Sequence, residues 1–167
     1  IGAASNRTLT AAEQERLRSL GYVSFSGAGA KSSYPDPKDR LDILRLCQQA
    51  VTLEFQGKYP EAAEAYAQLL SLMPDAPDSY VNLALSQARL KEFDKAIATL
   101  RQGAEKFPGS EAVLARLGYT YLATGRFAEA LATMNQVLDR NPRNVNALTA
   151  AASALESLGR KSEVRAY

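Results

Sequence analysis

The sequence predicts an all-α fold, a solenoid of stacked antiparallel helix hairpins. Composition is the first reason. Ala (29) and Leu (22) supply 51 of 167 residues, both good helix formers, while 10 Gly and 7 Pro suit short turns. The second reason is an internal period. Pro74, Pro108 and Pro142 stand 34 residues apart, as do Tyr59, Phe93 and Phe127, and Ala62, Ala96 and Ala130. The third is that one period holds two helical stripes around a glycine turn. Gly57, Gly125 and Gly159 keep the step, with Lys91 in the remaining slot.

The elements follow in order. Thr10-Ala11-Ala12-Glu13 has the form of a capping box opening a short helix over 11–20, ended by Gly21. Residues 22–35 are small and polar and read as a linker. Asp36-Pro37-Lys38 is a helix start, so the first long helix begins near 37. Hairpins then occupy about 43–76, 77–110 and 111–144, with a partial unit at 145–167.

The third unit shows the logic best. Ser110 caps a helix through Leu122, with Leu114, Leu117, Tyr121 and Leu122 at helical spacing. Thr124-Gly125-Arg126 turns the chain, and Phe127 opens a helix striped by Ala130, Leu131, Met134, Val137 and Leu138. Asn141-Pro142 stops it. Gly118 and Ala130 let the paired helices approach closely. In the fourth unit Leu148, Ala151, Ala152, Leu155 and Leu158 form a sound first helix. Lys161 and Val164 break the pattern of the second, which leaves Leu148, Leu155 and Val164 short of partners.

Several chemistries are excluded. With no His there is no imidazole base or ligand, and Cys47 alone makes neither an intrachain disulfide nor a thiolate cluster. No catalytic, cofactor or metal site is therefore expected, and no cofactor. The Asp36/Asp39, Glu61/Glu64 and Asp75/Asp78 pairs lie at helix starts, where capping and the dipole account for them. Gly27-Ala28-Gly29 with Lys31-Ser32 misses phosphate-loop spacing, because Ala30 intervenes. Charge balances at 20 basic against 18 acidic residues, so nucleic-acid binding lacks its electrostatic term. No apolar run approaches the ~20 residues that cross a bilayer. A chain opening on Ile1 without a signal peptide reads as a fragment of a longer protein.

The units resemble the tetratricopeptide repeat (TPR) family, the third most fully: Leu117-Gly118, Tyr121, Phe127, Ala130 and Pro142. The resemblance covers roughly 43–167. It implies a right-handed superhelical α-solenoid with a concave face lined by the first helices, on which a protein or peptide segment binds. The groove positions it assigns are Gln48, Glu54, Phe55, Val81, Asn82, Leu85, Arg89, Ala115, Arg116, Tyr119 and Thr149. With them go Cys47, Val51, Asp78, Ala112, Leu122, Asn146, Ala150 and Ser153. Asn82, Arg89 and Arg116 could hold a peptide backbone or carboxylate, and Tyr119 offers apolar area with a polar tip. The same residues would also serve as an ordinary solvated helix face. TPR domains that clamp acidic chaperone tails set Lys and Asn at several groove positions. Val, Ala, Leu, Cys and Thr stand there in this chain, which favours an apolar or mixed segment.

A second resemblance lies upstream. Leu9–Val23 (LTAAEQERLRSLGYV) and Pro35–Arg40 (PDPKDR) are similar to the join behind the catalytic domain of bacterial sulfatase-type hydrolases, some of which carry TPR tails. This implies that residues 1–36 join an upstream catalytic domain, that residues 37–167 are its non-catalytic tail, and that the protein is periplasmic or exported. Leu46-Cys47-Gln48-Gln49-Ala50 lacks the Pro and Arg of a formylglycine motif, so any catalytic apparatus precedes Ile1. The alternatives are a stand-alone TPR adaptor or a self-association module forming a homo-oligomer.

Overall fold

A computed structural model describes residues 37–164, with side chains from residue 41. The short helix over 11–20, the linker and Asp36 lie outside the described residues. Seven helices follow in order: α1 Pro37–Phe55, α2 Tyr59–Leu72, α3 Pro77–Arg89, α4 Phe93–Lys106, α5 Glu111–Ala123, α6 Phe127–Leu138 and α7 Val145–Ser157. They alternate as first and second helices of successive hairpins, and no strand forms among the described residues.

Local chemistry sets the boundaries. Pro sits in the first turns of α2 and α3, where its missing N–H costs nothing. Ser110 Oγ accepts from Val113 N, and Asn144 Oδ1 accepts from Ala147 N, capping α5 and α7. Each hairpin turn repeats one hydrogen-bond pattern. The N–H groups of Lys58, Glu92, Arg126 and Arg160 donate to the carbonyls of Leu53, Gln87, Tyr121 and Leu155, all at 2.9 Å. That is the closure of a Schellman motif, with Gly57, Gly125 and Gly159 at φ 73–74°. Lys91 takes the fourth left-handed position at φ 62°.

Three sequence expectations are corrected. α6 ends at Leu138, ahead of Asn141-Pro142, because the N–H groups of Arg140 and Asn141 already close on Val137 O. Asp75 does not cap α3: Ala76 is the N-cap, and Asp75 pairs with Lys106 Nζ at 2.7 Å. In the fourth unit Leu155 is 1% exposed, so it does not lack partners, while Leu158 falls beyond α7 and is exposed.

Each helix packs on its sequence neighbours, and the first helices also meet one another: α3 touches α5, and α5 touches α7. No comparable contact joins the second helices, so the first helices form the inner wall of a curved stack. The core runs between the layers, with Ala96, Leu100, Val113, Met134 and Ala151 at 0% exposure. A Cβ on Gly118 would lie 2.6 Å from Met134 Cε, so the Met134 side chain packs over the bare backbone of α5 at that point.

The first unit is dressed differently on its outer end. Leu83, Leu117 and Ala151 share a repeat position and are buried against the preceding hairpin, but Gln49 in that position is exposed. Ser86, Thr120 and Ala154 are likewise buried, where Thr52 is exposed. A polar end face is what a stack of repeats needs where it meets water.

Candidate functional site

The inner wall carries the candidate site. α3 contributes Val81, Asn82 and Leu85, all half-buried, and Arg89 at its exposed C-terminal end. α5 contributes half-buried Ala115 and Arg116 and exposed Tyr119. Tyr119 donates its hydroxyl to Asn146 O at 3.3 Å, tying α5 to α7 along the wall. Thr149 on α7 is exposed, but its hydroxyl already donates to Val145 O at 2.8 Å. Ala150, also expected in the groove, is 4% exposed and belongs to the core.

On α1 the expected residues divide. Glu54 and Phe55 line a cavity of about 390 Å³ with Val51, Tyr59 and Arg89. Gln48 lies around the helix, in a second cavity of about 370 Å³ with Arg45, Gln49, Thr52, Leu53 and Gln56. Residues 48 and 52 repeat at helical spacing on one face, and 51, 54 and 55 on another. Cys47 is free and half-buried. Sequence reading used Tyr59 only as a mark of the 34-residue period; the signal available was its hydroxyl, where Phe93 and Phe127 have none.

Glu54 is held in place. Tyr66, 4% exposed, donates its hydroxyl to Glu54 Oε2 at 3.1 Å. Burial, then this bond to a carboxylate, pushes the Tyr66 hydroxyl up to about 12. Most arginines elsewhere are engaged. Arg126 pairs with Asp94 at 2.6 Å, Arg45 with Asp42 at 3.4 Å, Arg101 Nε donates to Tyr121 Oη, and Arg140 to Pro108 O. No hydrogen bond or ion pair engages the guanidinium of Arg89 or Arg116 among the described residues. Such a wall can bind and orient a partner through apolar area, amides and two planar cations. Among the described residues no three His, Cys, Asp or Glu side chains converge as metal ligands, and no helix is long and apolar enough to cross a membrane.

Two tetratricopeptide repeat family models match the chain, over residues 47–111 and 91–155, and together they span three hairpins and the start of a fourth. The chain belongs to the tetratricopeptide repeat family. This TPR chain is 27% identical over 108 residues to "Small glutamine-rich tetratricopeptide repeat-containing protein 2" of Mycosarcoma maydis, covering 65% of the chain and 31% of that protein. It is 27% identical over 123 residues to "Cellulose synthase operon protein C" of Salmonella typhimurium, covering 74% of the chain and 10% of that protein. The chain thus spans under a third of either relative. Among solved structures, the first TPR of Spaghetti (RPAP3) bound to the HSP90 peptide SRMEEVD superposes with a TM-score of 0.64 at 25% identity, covering 70% of this chain and 93% of that one. MamA superposes with a TM-score of 0.67 at 19% identity, covering 78% and 71%, which shows a shared fold.

Proposed function

We propose that this TPR chain is a non-catalytic scaffold module whose inner wall binds an extended segment of another protein. The observation that carries the reading is the wall itself. Its side chains are solvated or half-buried, and the guanidinium groups of Arg89 and Arg116 stand on it unpaired among the described residues. The peptide seen on the RPAP3 domain supports the same use of the fold. Mixed apolar and polar positions at Val81, Leu85, Ala115 and Tyr119 favour an apolar or mixed segment over an acidic tail. Panning the purified 167-residue chain against a random peptide library tests this. Enriched peptides should lose about tenfold in affinity on combined Asn82→Ala and Arg116→Ala substitution, the scale of one charge-assisted hydrogen bond. No enrichment, or binding indifferent to those changes, overturns it.

The stretch from Leu9 to Arg40, with that alone as support, further suggests the module is the C-terminal part of a sulfatase-type hydrolase, joined through residues 1–36 and exported with it. A Cys/Ser-x-Pro-x-Arg motif with acidic metal ligands encoded upstream of Ile1 is the expected finding; their absence removes the reading. Self-association is favoured by one observation. Leu148 and Ala152 on α7 stay half-buried, where the corresponding Leu114 and Gly118 on α5 are buried. Light scattering should then show a dimer that Leu148→Lys dissociates, and a monomer at high concentration excludes it.

A further inference from the structure

The inner wall is not uniform. α3 packs along α5 and α5 along α7, but α1 approaches α3 less closely. The core divides at the same place, with the first hairpin and Leu83 forming a cluster apart from that of the later units. Into the gap opens the cavity of about 390 Å³ lined by Val51, Glu54, Phe55, Tyr59 and Arg89. That volume lies in the range of pockets that enclose small ligands and has room for one large side chain with its adjoining backbone.

The lining includes the most exposed of the large apolar side chains among the described residues. Phe55 is 94% exposed and Val51 53%. The repeat does not require an aromatic there, since Arg89 and Ala123 hold the matching position in the next two units. Glu54 turns to its own hairpin, where Tyr66 Oη donates to it. Arg89 is exposed and has no acidic partner among the described residues. Within one cavity there is thus unburied apolar surface, a carboxylate already engaged and a guanidinium still available.

We infer that this cleft is a side-chain pocket for an extended peptide of another protein. One aromatic or bulky aliphatic side chain of the peptide sits against Phe55, Val51 and Tyr59, and Arg89 binds the carboxylate of an Asp or Glu beside it in the same peptide. Aromatic area supplies most of the attraction, since rings bury large surfaces in specific geometry. The planar fork of Arg89 supplies direction, since it meets a carboxylate with two parallel hydrogen bonds. The inference rests on the inner wall being a peptide site and names which residues of the peptide are read.

The experiment is panning of the 167-residue chain against a random peptide library, repeated with Arg89→Glu, Arg89→Lys, Phe55→Ala, Arg116→Glu elsewhere on the wall and, as a control at an exposed loop position outside the wall helices, Arg143→Glu. Circular dichroism melts confirm that each variant is folded; Arg89 and Phe55 are surface positions. Peptides selected by the unaltered chain should pair a bulky apolar residue with a neighbouring Asp or Glu. Arg89→Glu should weaken them more than about tenfold, because a like-charge contact replaces the pair, and should select Lys or Arg in place of the acid. Arg89→Lys should keep the acid, Phe55→Ala should lose the bulky residue, and Arg143→Glu should leave both. A selected motif that Arg89→Glu does not change, or one with a basic residue in place of the acid, overturns the inference. If only Arg116→Glu shifts the motif, the wall binds peptide but not in this cleft. If no peptide is enriched, both readings fail. A dimer in sedimentation that Phe55→Ala dissociates would make a second copy the occupant and overturn the peptide assignment.

Discussion

Lys91→Gly isolates a single backbone term. The same Schellman closure ends the first helix of all four hairpins, and three of the four left-handed positions are glycine at φ 73–74°. Lys91 holds the fourth at φ 62°. An L side chain in that region crowds its own backbone and costs about 1–2 kcal/mol. Glycine removes the cost but gives the unfolded chain more freedom, worth about 0.5–1 kcal/mol. Lys91 is exposed and makes no side-chain hydrogen bond or ion pair among the described residues, so little else is lost. The net expectation is stabilisation by roughly 0.5–1 kcal/mol. Gly125→Ala is the mirror experiment. No atom lies within 4 Å of the added Cβ, so only the backbone term acts, and stability should fall by about 1 kcal/mol. Urea denaturation followed by far-ultraviolet circular dichroism measures both, with thermal midpoints moving a few degrees in opposite directions. If Lys91→Gly is neutral or destabilising while Gly125→Ala is costly, the lysine side chain has a compensating contact and the reasoning fails.

Other expectations come from packing and titration. A Cβ at Gly103 would lie 3.0 Å from Tyr80 Cβ and 3.2 Å from Val113 Cγ1, so Gly103→Ala should destabilise by about 1–2 kcal/mol, overpacking outweighing helix propensity. Val113→Ala removes that Cγ1 and should cost less in the Gly103→Ala background than alone; strict additivity in the double-mutant cycle would count against the clash. Ser86 Oγ is fully buried with no partner, and Ala154 fills the matching slot, so Ser86→Ala should stabilise by about 1 kcal/mol in the same denaturation assay. A loss there would reveal an acceptor for the hydroxyl. Tyr66 ionises near 12 in the folded chain against an ordinary 10.0. The folded state therefore holds this proton more tightly, and stability should be level below about pH 10 and fall as pH rises through 10–12. Tyr66→Phe should flatten that slope in denaturation series against pH; an unchanged slope would assign the alkaline loss to other groups.

Most of the architecture was legible in the residue order, because a repeat protein is stabilised by interactions within a hairpin and between adjacent hairpins. Local signals such as Gly125, Phe127, Ala130 and Ser110 recur at a fixed step and therefore report both the turn and the partner helix. The TPR resemblance assigned the wall positions, and the residue pattern named Gly118, over which the Met134 side chain lies. Tertiary structure alone decided how widely each pair of hairpins stands apart. That spacing depends on side-chain volumes from different units, such as Gly103 beneath Tyr80, and no single period displays such a pairing. It also separated Gln48 from Glu54 and Phe55, buried Ala150, and opened the gap between α1 and α3. Period specifies which helices are neighbours; the shapes of unlike side chains meeting between them specify where the wall stays open.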